Sequence, residues 1–238
     1  MNSNIMTARI AGVLFIIATI ADLISTGLLN PILNSSDELS RVSSNQDRVL
    51  AGVFFLLIGA FAAAGIAISL YPILREHYDR LALGSVGFRL IEAVFYVLGA
   101  VGALLLLTVG QEFSKAGSPA VSSFQTWGTV LRALRDQAAL LGTLAFYLGA
   151  AMYYAIFYQT RLIPRWISGW GLIGVTLGLI AGILVLFRVT SYMSEPQVVM
   201  NIPIGVQEMV LAVWLLVKGF KPSALASASA YIPVVAAR

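Results

Sequence analysis

The sequence predicts an all-α integral membrane bundle of six transmembrane helices, with a short interfacial helix before the fourth span. Three observations carry this. Hydrophobic residues make up 59% of the 238 residues and charged residues only 11%, less than half the charged share of an ordinary soluble domain. Mean hydropathy is +0.88. The apolar residues fall into runs of about 20, the length a helix needs to cross a hydrocarbon core. So little charge cannot cover so much apolar side chain in water, and lipid must solvate much of the surface.

The first span is read at residues 8–29, stopped by Asn30-Pro31. Arg9 and the apolar run that follows loosely resemble a signal peptide. No small-residue cleavage pattern follows and Asp22 interrupts the region, so a retained helix is expected. The second span is read at 49–74, with Pro72 tolerated in its last turn near the interface. The remaining spans are read at 81–110, 136–159, 166–187 and 201–218. Together they form one transmembrane domain over 1–221. The Ala- and Ser-rich tail, 222–238, is expected to be disordered.

Two connections are long. The polar stretch 30–47 reads as an outer loop with at most a short helical turn. In 113–135, Phe124, Trp127, Leu131 and Leu134 recur at helical spacing, with Arg132 and Arg135 off that stripe. This suggests an amphipathic interfacial helix, with a longer fourth helix as the rival reading.

Lys and Arg counts in the flanks set the orientation. With the N-terminus in the cytoplasm, eight basic residues lie inside and six outside, and Arg75, Arg80, Arg161 and Arg165 edge the short inner loops. Both termini are therefore expected on the cytoplasmic side of the cell membrane. Tyr71, Tyr153, Tyr154, Tyr158, Trp166, Trp170 and Trp214 project near the inner boundary, where amphipathic rings prefer to sit.

Composition also excludes chemistry. The net charge is +4, but no basic cluster interleaved with aromatics marks nucleic-acid binding. Without cysteine there are no disulfides, thiolate metal sites or cysteine nucleophiles. His77 is the one histidine, which rules out a bis-histidine haem, and it alone makes no metal site. The three lysines sit at helix ends or in loops, which rules out a retinal Schiff base. No metal or cofactor is expected.

Gly174, Gly178 and Gly182, spaced by four, give the fifth helix a glycine face for close backbone approach. That face packs inside the bundle or against a protein partner or second copy, and internal packing is favoured because a bundle needs tight interfaces.

Mid-membrane charges are costly and mark candidate sites. Asp22, Arg89, Glu92 and Glu208 stand out. Arg89 and Glu92 share a helix face, and Tyr96 continues it. At ~1.5 Å rise per residue, Arg89, Glu92 and Glu208 lie ~12, ~17 and ~15 Å from the inner edge, and Asp22 ~20 Å. The matched depths suggest that Arg89 bridges Glu92 and Glu208, with Tyr96 and Gln207 supplying hydrogen bonds, and that either one carboxylate is protonated or Asp22 and Glu208 hold a proton or cation. The alternative is a charged lock that fixes helix register.

The segments Ala-Arg-Ile-Ala-Gly-Val-Leu-Phe at 8–15, Phe-Arg-Leu-Ile-Glu-Ala at 88–93 and Leu-Ile-Pro-Arg-Trp-Ile-Ser-Gly-Trp-Gly at 162–171, with Glu208 and the run 211–219, resemble the bacterial domain-of-unknown-function 4386 family. The resemblance covers about residues 5–221. It implies a bacterial multi-pass membrane protein, makes Arg89, Glu92 and Glu208 family motif positions, and brings no activity with it. Three functions remain open: a small-molecule binding or transport protein, a structural or accessory subunit of a membrane complex, and an intramembrane enzyme acting on lipid. No nucleophile motif supports the last, so an enzyme is disfavoured.

Overall fold

The computed structural model describes residues 3–35, 37–115, 121–191 and 194–229, and among these every regular element is helical. Among the described residues, five helices are long and apolar enough, by length and composition, to cross a membrane.

Helix α1 spans Ser3–Leu33 and runs through the expected stop, with Pro31 in its last turn. Proline has no N–H, so the Gly27 carbonyl loses its helical donor. The Arg48 guanidinium takes that place, its Nη2 donating to Gly27 O at 3.0 Å. A short helix α2, Glu38–Ser44, follows and buries Leu39 and Val42. Gly110 makes room for it: a Cβ there would lie 2.6 Å from the Leu39 carbonyl oxygen.

Helix α3 is assigned across Gln46–Lys115 but breaks at Tyr78, whose φ of −144° and ψ of 80° are not helical. The chain folds back there. Arg89 Nε donates to Ala63 O at 3.2 Å, although in a straight helix those residues would stand ~39 Å apart. Farther from the break, the Gln111 amide donates to Gln46 Oε1 at 2.9 Å. Each arm carries one of the expected spans. Pro72 does not end the first arm, which continues to the break.

Helix α4, Val121–Thr160, is continuous. The expected interfacial helix and fourth span are thus one element, ~60 Å long. The expected stripe is also rotated. Phe124 and Leu131 pack on buried residues, whereas Trp127 and Leu134 are exposed. Gly128, which the apolar stripe passes over, instead faces Leu39. Helix α5 is Arg165–Leu186 and α6 is Glu195–Val217. Helix α7, Pro222–Ser229, forms within the tail expected to be disordered. Its Ala and Leu content favours helix, and Pro222 suits a first helical position. The Lys221 amide ties it back through Leu162 O at 2.9 Å. Residues 230–238 of that tail lie outside the described residues.

The chain forms two compact units. One comprises Met1–Ile16, Ala62–Glu92 and Thr143–Arg238. Its buried side chains include Phe15, Ile66, Leu70, Tyr153, Tyr154 and Phe157. The other comprises Ile17–Phe61 and Ala93–Gly142, with a core of Leu29, Leu33, Leu39, Val42, Val53 and Leu106. Polar bonds staple this second unit: Arg132 pairs with Glu38 and donates to Ser35 O at 3.0 Å, and Arg135 donates to Asn30 Oδ1 at 2.9 Å.

Candidate functional site

The polar cluster lies within the first unit. Arg89 and Glu92, three residues apart on α3, form an ion pair of 3.0 Å with both side chains almost fully buried. The guanidinium also holds the Ala63 carbonyl and stacks over the Phe146 ring, 5.0 Å from its centroid. Gly149 on α4 lets the stem of Arg89 pass: a Cβ at Gly149 would lie 3.2 Å from Arg89 Cγ. The arginine is therefore enclosed by a carboxylate, a helix carbonyl and a ring face, the environment that makes a buried charge tolerable.

Glu208 on α6 is half-buried and accepts the Tyr153 hydroxyl at 3.4 Å. Tyr153 is wholly buried, with Phe15 packed edge-on to its ring at 6.3 Å. Gln207 is not part of the carboxylate group as expected. Its Oε1 accepts the Tyr154 hydroxyl at 2.5 Å and its Nε2 donates to Ile167 O at 3.0 Å. Adjacent residues of a helix do not face each other, so Gln207 ties α4, α5 and α6 while Glu208 meets Tyr153.

Two other expected members lie in the second unit. Asp22 is on α1, with an exposed side chain that makes no ion pair or hydrogen bond among the described residues. Tyr96 lies with its ring against Gly142, where a Cβ would come within 3.0 Å of it.

Tyr153 and Tyr154 are the residues that sequence reasoning misplaced. Both were expected at the headgroup boundary and both are fully buried, whereas Tyr158 and Trp166 are exposed. The signal lay in α5. Small residues along one helix imply large side chains on its neighbour. A Cβ at Gly171 would come within 2.6 Å of the Tyr154 ring, one at Gly178 within 2.4 Å of the Tyr147 ring, and one at Gly174 within 3.0 Å of Ile204. The glycine face is occupied inside the chain, so a partner chain on α5 would have to use another face.

Among the described residues, no group of three or more His, Cys, Asp or Glu is placed to hold a metal ion.

Apolar helices of membrane-crossing length, with a buried ion pair on one of them, define a helical membrane protein. The chain belongs to the domain-of-unknown-function family DUF4386, whose model matches residues 10–219. No curated protein and no solved structure matches the chain.

Proposed function

We propose that this is a six-span protein of the bacterial cytoplasmic membrane, with both termini cytoplasmic, whose Arg89–Glu92–Glu208 cluster is a small-solute or ligand-binding or transport site. The fold-back at Tyr78 supports counting α3 as two spans, and the basic residues beside the short loops support the orientation. The chain has no cysteine, so single cysteines introduced at Ser223 and at Ser114 report topology cleanly. Impermeant maleimide added to intact cells is expected to label the second and not the first, and the reverse pattern would invert the orientation.

The observation behind the binding reading is a charge imbalance. The cluster has one guanidinium and two carboxylates, and Glu208, the less buried carboxylate, rests on a tyrosine hydroxyl. Two carboxylates against one guanidinium leave a negative charge that a bound proton or cation would balance. Native mass spectrometry of the detergent-purified protein beside Glu208→Gln tests this. A small adduct on the parent that the variant lacks is the expected result, and its mass names the ligand class. Adduct-free protein, together with a less stable variant, would sink the proposal.

A second reading, a register lock in a structural or accessory subunit, rests on the enclosure of Arg89 by Glu92, the Ala63 carbonyl and Phe146. It expects Glu208→Gln to lower stability and leave solute movement unchanged.

A further inference from the structure

One face of α6 carries an apolar groove of about 490 Å³, lined by Val206, Met209, Val210, Val213, Trp214 and Val217, with Lys218 at its end. We propose that this groove holds an acyl chain of an anionic phospholipid, with the headgroup phosphate on Lys218.

The groove has the dimensions of one leaflet. Val206 to Lys218 spans twelve residues of helix, ~18 Å, and half of a ~30 Å hydrocarbon core is ~15 Å. Its wall is unbroken aliphatic and aromatic surface. Its one charged residue stands at the C-terminal end of the helix, where the span meets the headgroups, with exposed Lys221 three residues further on. An ammonium above an apolar trough complements a lipid with a negative head and an apolar tail, whereas a zwitterionic head gains less from it. Trp214, four residues before Lys218, is placed as interfacial rings commonly are. A second copy of this chain would leave Lys218 facing its own counterpart if the contact were two-fold, a like-charge juxtaposition that disfavours it.

The test is native mass spectrometry of the full chain in detergent, titrated with phosphatidylglycerol or phosphatidylcholine. The parent is expected to retain one phosphatidylglycerol in preference to phosphatidylcholine. Lys218→Gln is expected to weaken phosphatidylglycerol retention about fivefold and erase the preference, and Lys218→Arg to restore it. Val210→Trp, which fills the trough, is expected to weaken both lipids. The Gln/Arg pair keeps the test sound if the Trp variant folds poorly. Equal phosphatidylglycerol retention by the parent and Lys218→Gln would overturn the proposal. So would a dimer that Val210→Trp dissociates, because the occupant would then be a second copy.

Discussion

Gly178→Ala is the sharpest test of how α5 is held. The added methyl would lie 2.4 Å from Tyr147 Cε1 and 2.8 Å from its hydroxyl oxygen. Carbon atoms do not pack closer than about 3.5 Å without repulsion, so ring and helix must separate by roughly 1 Å. Tyr147 cannot yield freely, because its hydroxyl donates to Asn201 Oδ1 on α6. Overpacking of this kind costs about 1–3 kcal/mol, and losing the Tyr147–Asn201 hydrogen bond adds about 0.5–1.5 kcal/mol. The expected loss is therefore about 1.5–4.5 kcal/mol. Gly205→Ala on α6 is the control, since nothing lies within 4 Å of the Cβ it adds. It should be neutral or slightly stabilising, because alanine is the better helix former. Helix content followed by circular dichroism during denaturation of the detergent-purified proteins reads both. Equal stability of the two variants would show that α5 does not bear on Tyr147 as described.

Arg89→Met leaves Glu92 buried beside an apolar side chain and should cost about 3–5 kcal/mol, while the double variant Arg89→Met/Glu92→Leu should recover part of that loss. The same denaturation assay decides it, and a double variant no better than the single one would deny the pair its mutual dependence. At the end of α1, Arg48→Met should cost about 0.5–1.5 kcal/mol in the parent and less in a Pro31→Ala background, where the backbone N–H regained by that substitution can itself bond Gly27 O. A double-mutant cycle with no coupling would remove Arg48 from that role.

The membrane architecture was legible in the sequence because lipid imposes a length and composition on each crossing that no local detail can hide. The fold-back within α3 was legible for the same reason: Arg75, Glu76, Asp79 and Arg80 interrupt the apolar run close to Tyr78. The end of α1 was not. Asn30-Pro31 is a sound local stop signal, and it is overridden by Arg48, a donor in another helix. The candidate site was half legible. Charge in an apolar run pointed to Arg89, Glu92 and Glu208. Gln207 was not legible, because residues adjacent in sequence point to different sides of a helix, and its helical phase directs it to Tyr154 and Ile167. Tyr153 and Tyr154 lie close enough to the end of α4 to read as boundary residues. Their burial depends on a glycine of α5, a glutamine of α6 and a phenylalanine of α1, which are contacts that no local window contains.

The bond from Arg48 to the Gly27 carbonyl also bears on how the chain is made. The last turn of α1 is complete in composition once Pro31 and the two residues after it are synthesised, yet its missing donor lies seventeen residues beyond Pro31. At about 5–20 residues per second, a ribosome needs roughly one to three seconds to supply it. Until then the Gly27 oxygen lacks both its helical donor and the arginine that replaces it. The end of α1 is therefore sealed by the beginning of α3, and its last turn is complete only once both helices are in place.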